Sequence, residues 1–481
     1  MAHELFEILS KDELENIHDN SLRIMKEIGI SVRFDEVREM FRKAGATVDG
    51  EMVYFDRPMV EKYLAMMPSS FKLYGRNPEN DVVIDTYNSV YMTANCSPFV
   101  QNLDDGRHMG TMNDFDNLAK LTQDLKHVQL VAQTLCEPCD LDVNVRHLEM
   151  TMSTLKYASK PFMGSCEGRR RSTECVELAA IPFGGLDAIK EKPIMFSIPC
   201  TITPLGWDQD MLEGVMVMVE NGQPVMVNAL AMAGATSPVT LAGTLSVSHA
   251  EIMAGLVLTQ IMREGAPVIY STGTAITDMR YMMMSHGSPE TTLFSMANCQ
   301  LAHMLNIPVR TSAGLTDSKC VDVQAGYESM MNQLGAALAG ANFQEHAAGI
   351  IDTYNTTSYE KLILDDEMIG YVERIRRGIE VNEDTLAFET IEEEGPRGNF
   401  IASEHTCDFM DEEIYKPIIG HRDSYVAWEN AGKVDGEHKA NQVWHKMLDE
   451  YEPYPLDAEI EKDMRKYIDK CYDGYGVAHR F

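Results

Sequence analysis

The stretch "PVRTSAGLTDSKCVDVQAGYES", residues 308–329, starts as a buried strand and ends as a helix, with a corner of small and polar residues between. A single corner of this kind reads as a phosphate cradle or as a plain turn. Its meaning depends on whether it recurs, and it does. Apolar runs, often opened by proline, stand at 89–99, 127–138, 161–168, 193–207, 224–234, 267–277, 308–314 and 342–352. Proline suits the first residue of a strand, where no ladder donor is yet required. Helical periodicity falls between the runs, at 114–125, 143–158, 170–181, 208–221, 247–264, 290–305, 322–340 and 358–377. Strands that alternate with helices imply parallel pairing through right-handed crossovers, and about eight such units are the number that closes a (β/α)8 TIM barrel. A doubly wound open sheet is the rival. No Gly-x-Gly-x-x-Gly follows any strand, and Lys319 lacks the glycine frame of a nucleotide-binding loop.

This α/β core is expected over residues 86–380. Residues 1–85 read as an N-terminal helical cap, with helices at 11–28 and 35–44, and 381–481 as an acidic extension with a helix at 456–472 packed on the barrel. The acidic runs at 365–367 and 392–394 read as solvated charge. The chain has 481 residues and a formal net charge of −33, which argues against nucleic acid or an anionic membrane as partner. No run of about 18 apolar residues stands out, so no membrane span and a cytoplasmic location are expected. The ten cysteines are scattered, and the C-x-x-C at Cys136 and Cys139 has no second pair to complete a metal site. No metal bound by the chain itself is expected. The 33 methionines read as core filler.

In a barrel, chemistry sits at the carboxyl ends of the strands. Those ends carry recurrent rings, Tyr91, Phe99, Trp207, Tyr270 and Tyr354, with the acids Glu137 and Glu167. Rings and acids together suit a cation held over aromatic faces. Thr272 and His346 are the polar candidates beside them. The corners Gly273–Thr274 and Gly314–Thr316–Asp317–Ser318 are small enough for a large flat partner to approach the backbone. No acid, base or metal set marks a catalytic residue.

The blocks "STGTAITDMRYMMMSHGSPE", "QLAHMLNIPVRTSAGLTDSKCVDVQAGYES", "LGAALAGANF", "SYEKLILDDEMIGYVERIRRGIEV" and "IASEHT" resemble the trimethylamine methyltransferase family. The resemblance spans nearly the whole chain and is strongest over 267–380. It implies a (β/α)8 barrel that moves a methyl group from an amine nitrogen to cobalt in a cobalamin-type corrinoid carried by a separate, cognate corrinoid protein. The sequence holds only standard residues, so it resembles the branch without pyrrolysine, whose substrates are quaternary amines such as glycine betaine, proline betaine and carnitine. The chemistry fits that branch. A quaternary nitrogen leaves as a neutral tertiary amine when Co(I) takes the methyl group, so no proton is delivered and the protein's task is positioning.

On this reading Tyr91, Phe99, Trp207, Tyr270 and Tyr354 cage the ammonium, and Glu137 or Glu167 balances its charge. His346 and Thr272 hold a substrate carboxylate. Gly273, Thr274, Gly314, Thr316, Asp317 and Ser318 lie beneath the corrinoid. Two other readings stand beside it: a lyase or hydrolase of the same fold using Glu137 and Glu167 as acid and base, or a non-catalytic betaine-binding protein. A homo-oligomer is expected in each case.

Overall fold

The structure, a computed structural model, describes residues 5–479. The recurrent runs form strands β1 (Val90–Thr93), β2 (Phe162–Met163), β3 (Met195–Phe196), β4 (Val225–Ala229), β5 (Val268–Thr272), β6 (Val309–Ser312) and β7 (Phe343–Ala348). The run at 127–138 contributes only two bridges, Leu130 with Met92 of β1 and Val131 with Phe162 of β2. Strand β2 pairs with β3, and Ser197 bridges to Val225 at the start of β4. From there β4 pairs with β5, β5 with β6, β6 with β7, and β7 returns to β1. Every one of these contacts is parallel. The strands are buried along their whole length, as in "VMVNA" and "VIYST", because helices cover the outside and side chains fill the inside.

Helices lie where the periodicity places them. Met112–Asp124, Arg146–Tyr157, Gly168–Ala180, Gln209–Glu220, Leu241–Met262, Pro289–Met304, Val323–Leu338 and Tyr359–Arg377 each follow a strand or bridge. Leu241–Met262 is long and apolar enough to cross a membrane. It is nevertheless a core helix, with 78% of its most apolar window buried. The N-terminal helices Lys11–Arg23, Asp35–Ala44 and Arg57–Leu64 pack over it.

The N-terminal segment also builds a small sheet. Its strand Ile30–Val32 pairs in parallel with Gly206–Trp207, the far end of the run that begins at 193. At the other end of the chain, Gly436–Glu450 lies along Tyr359–Arg377, and Ala458–Tyr475 lies on Arg146–Tyr157 and Gly168–Ala180. One hydrophobic core runs through all three regions, from Leu22 and Met25 to Met464 and Tyr472.

One expectation is overturned here. The run Asp365–Asp366–Glu367 is buried, not solvated. Asp365 pairs with the buried Lys361 and accepts from the Gly349 N–H at 2.9 Å. Asp366 accepts from the backbone of Lys126 and His127 at 3.3 and 2.8 Å. Glu367 accepts from Ile418, Ile419 and Gly420. Buried carboxylates persist where partners meet them, and here three adjacent ones tie a single helix to three separate segments. The run at 392–394 lies in the half-exposed to exposed surface, as expected.

Candidate active site

The carboxyl ends of the strands converge on a buried polar cluster. Arg310 of β6 and Glu345 of β7 form an ion pair with 2% and 1% of their side chains exposed. Arg310 Nη1 also donates to the Thr272 carbonyl at the end of β5, at 2.6 Å. Glu345 Oε1 accepts from Asn95 Nδ2 at 3.1 Å, and Asn95 Oδ1 accepts from the Thr134 N–H at 3.1 Å. The pair and its hydrogen bonds therefore join the ends of β1, the 130 segment, β5, β6 and β7. Burial raises the Glu345 pKa, but Arg310, His346 and Asn95 outweigh it and the net shift is downward. The carboxylate is ionised at neutral pH.

His346 follows at once. It holds a left-handed backbone, φ 57°, which costs a non-glycine residue energy and is kept only where the surroundings require it. Its Nδ1 accepts from the Asn95 N–H at 3.2 Å. The proton therefore resides on Nε2, 3.6 Å from Glu345 Oε1. Burial, with Glu345 opposing and Arg310 adding to it, pushes His346 down to about 4. The ring of Tyr354 sits between His346 and His286, with centroids 4.9 and 4.4 Å away. Burial, then His346 and Arg310, pushes His286 down to about 3, so both imidazoles are neutral. A Cβ on Gly273 would lie 3.6 Å from the Tyr354 hydroxyl, 3.7 Å from Arg310 Nη1 and 2.5 Å from Leu230, so only glycine fits there without displacement.

On the neighbouring strands, Asn228 of β4 donates to Cys200 Sγ at 3.2 Å and accepts from Ser271 of β5 at 3.0 Å. Cys96 follows β1 with φ 69° and is open to water although protein surrounds it. Burial raises its thiol pKa, with Glu345, Cys200, Glu167 and Glu137 adding to the effect. The ten cysteines are free thiols, and among the described residues no group of three His, Cys, Asp or Glu could hold a metal ion.

The candidates from sequence divide into four groups. His346, Tyr354, Thr272 and Gly273 stand in the cluster, with Thr274 bonded to Thr272 at 3.0 Å. Glu137 and Glu167 reach the rim, but each is paired, with Arg146 and Arg171 at 2.7 Å. Phe99 lies nearby with its face covered by the Arg107 guanidinium at 3.6 Å.

Tyr91, Tyr270 and Trp207 are elsewhere, so the five-ring cage does not form. Tyr91 points outward and donates to Glu373 near the end of Tyr359–Arg377. Tyr270 points outward to His249 and Asn298, at 3.0 and 3.1 Å. Trp207 is held in the N-terminal sheet and donates to the Glu251 carbonyl. The 314–318 corner also has a different task. Asp317 accepts from Ser285, His286, Gly287 and Thr353. Thr316 donates to Glu328 and Ser318 to Asp322. Gly314, φ 68°, lies where a Cβ would meet the carbonyls of His346 and Ala347 at 2.7 Å. The opening stretch is thus a clasp that binds the loops after β5, β6 and β7 together.

The family profile described as Trimethylamine methyltransferase (MTTB) matches residues 2–476. The chain belongs to the trimethylamine methyltransferase family. A glycine betaine methyltransferase of Desulfitobacterium hafniense (strain Y51) is 43% identical over 463 residues, 96% of each chain. A proline betaine:corrinoid methyltransferase of Eubacterium limosum is 31% identical over 84% of this chain and 85% of its own length. An L-carnitine:corrinoid methyltransferase of the same organism is 29% identical over 96% and 97%. The crystal structure of the Methanosarcina barkeri monomethylamine methyltransferase superposes with a TM-score of 0.54 at 11% identity. That match covers 99% of this chain and 90% of that one, a likeness of α/β fold alone.

Proposed function

We propose that this family member demethylates glycine betaine and delivers the methyl group to a corrinoid carried by a partner protein. The observation that carries the substrate is the 43% identity, over 96% of both chains, to a glycine betaine methyltransferase. Relatives named for other amines stand at 28–31%. The charge pattern supports the same choice. The buried cluster holds one ion pair, Arg310 and Glu345, beside two neutral imidazoles, and the acids Glu137 and Glu167 are each neutralised by an arginine of their own. A paired plus and minus complements a zwitterion better than a simple cation. Arg310 Nε has no partner in the structure and is a donor for a carboxylate. Glu345 and the face of Tyr354 suit the ammonium. His346, fixed with its proton on Nε2, supplies a further donor.

The corrinoid, when docked, supplies the nucleophile that takes the methyl group. This chain binds the amine, points one N–CH3 bond at the opening and excludes water. No residue has to move a proton, which accords with two imidazoles held neutral. The rim fits a docked partner. Ile202, Leu230, Val239, Met279, Tyr281 and Met283 are exposed apolar side chains on the loops after β3, β4 and β5. Exposed apolar surface of this kind marks protein contact. The closed cycle of parallel pairs supports reading the core, residues 86–380, as a (β/α)8 barrel. Residues 1–85 then form a cap and 381–481 an extension, and the protein works in the cytoplasm.

The test is incubation with free Co(I) cobalamin and a panel of glycine betaine, proline betaine, carnitine and trimethylamine, following methylcobalamin by its spectrum. Glycine betaine should turn over fastest by at least tenfold. Faster turnover of another amine would overturn the substrate, and turnover of none would favour a binding protein.

A further inference from the structure

Gly273 marks a point where three side chains meet. A Cβ there would lie 2.5 Å from Leu230 Cδ1, 3.6 Å from the Tyr354 hydroxyl and 3.7 Å from Arg310 Nη1. Tyr354 and Arg310 belong to the polar cluster, and Leu230 is the apolar member of the meeting. The strand pattern explains why it points there. Val227 packs outward, where a Cβ on Gly255 of the covering helix Leu241–Met262 would meet it at 2.5 Å. Successive residues of a strand face opposite ways, so Asn228 faces inward, and it meets Ser271 of β5 at 3.0 Å. The ladder then runs on past both strands. Gly273 donates to the Ala229 carbonyl and Ala275 to that of Ala231, each at 3.0 Å. Leu230, two residues after Asn228, and Gly273, two after Ser271, therefore stay abreast on the inner face. The backbone of Leu230 is pinned on both sides, so its side chain keeps its place.

Leu230 is also the least exposed apolar side chain of the rim. It is 37% exposed, against 48% for Ile202 and 58–72% for Val239, Met279, Tyr281 and Met283. Arg310, at the same point, is 2% exposed, and its Nε is without a partner among the described residues. An apolar side chain thus stands beside an ion pair that is out of water, at the edge from which an amine has to enter.

We propose that Leu230 sets the size of the amine that this site accepts. The inference rests on the glycine betaine reading above. With a carboxylate on Arg310 and an ammonium against Glu345 and Tyr354, both ends of the ligand are fixed. The single methylene of glycine betaine spans them. Carnitine has a longer, hydroxylated tether, and proline betaine closes a ring between its nitrogen and its α carbon. Both carry carbons that bulge from that line. The isobutyl group of Leu230, lying over a glycine, takes the room that they need.

The test compares kcat/KM for glycine betaine, proline betaine and carnitine with free Co(I) cobalamin, and their Kd by calorimetry. One methylene of fit is worth roughly 10- to 200-fold in discrimination. Leu230→Ala should therefore raise the ratio of the larger betaines to glycine betaine at least tenfold. Gly273 does not hold a left-handed backbone, so alanine suits it once Leu230 is shortened. In Leu230→Ala with Gly273→Ala the new methyl group refills the space beside Tyr354 and Arg310, and the ratio should fall back. Looser packing alone would weaken all three amines together and would not be reversed by the second substitution. In a chain that prefers glycine betaine, a ratio unchanged by Leu230→Ala overturns this inference alone. So does a raised ratio that Gly273→Ala does not lower. An unaltered chain that prefers a larger betaine, or binds none of the three, overturns the glycine betaine reading and this inference with it.

Discussion

Arg310 and Glu345 face each other across neighbouring strands, each almost wholly out of water. Desolvating two charges costs several kcal/mol apiece, and their attraction returns this only while both are present. The pair is therefore a poor stabiliser and a strong constraint. It fixes where the ends of β5, β6 and β7 stand relative to Asn95.

Arg310→Met alone should cost about 3–5 kcal/mol of stability, because Glu345 stays buried without its partner. Arg310→Met combined with Glu345→Leu should cost less than half as much, while abolishing turnover. Urea unfolding measures both. A double variant as unstable as the single one would refute the assignment.

Acid should unfold the protein early. His346 and His286 are held near 4 and 3, against an ordinary 6.5. As pH falls below 6.5, the unfolded chain binds protons that the folded chain refuses, so stability drops. The loss is at most about 1.4 kcal/mol per pH unit for each histidine. For His346 it runs from 6.5 down to about 4. Thermal melts between pH 8 and 4.5 should show Tm falling only below about 6.5, and kcat should show no inflection near 6.5. An inflection there would mean that one of these rings titrates in the working enzyme.

Tyr354 is the one ring of the expected cage that reaches the cluster. Tyr354→Phe keeps the face and should change KM for glycine betaine by less than threefold. Tyr354→Ala removes it and should raise KM about 2- to 30-fold, the range of a cation–π contact of roughly 0.5–2 kcal/mol. Steady-state kinetics on the two variants separates ring from hydroxyl.

Gly314→Ala should destabilise by more than 1 kcal/mol. The new methyl group would meet two carbonyl oxygens at 2.7 Å, and φ is 68°. Asp317→Ala should leave global stability closer to normal but speed amide exchange at His286 and Gly287, whose N–H groups lose their acceptor.

The order of elements was readable because proline-opened apolar runs and helical periodicity alternate without a gap. Facing was not. In a strand buried on both sides there is no polar–apolar alternation to say which residues point inward. That is why Tyr91 and Tyr270, in unbroken apolar runs, look like mouth residues and instead meet Glu373 and His249. Trp207 misleads for another reason: its run leaves the core after β3 and joins the N-terminal sheet. The signal that locates the site was present as a charge out of place. Arg310 in "PVRTS" and Glu345 in "NFQEH" are opposite charges inside adjacent apolar runs, Glu345 lying opposite Ser312, two residues beyond Arg310. In the same way, three acids in a row at 365–367 suggest solvent only until their N–H donors are traced to three different segments.

Those three carboxylates also limit how the gene can be cut. A truncation near residue 380 would leave the Glu367 oxygens without their backbone donors, inside a helix that also anchors Lys126–His127 and the turn after β7. Trimming the tail therefore strands a buried charge in the helix that follows β7, and any shortened or chimeric version has to carry residues 418–420 along with the strands.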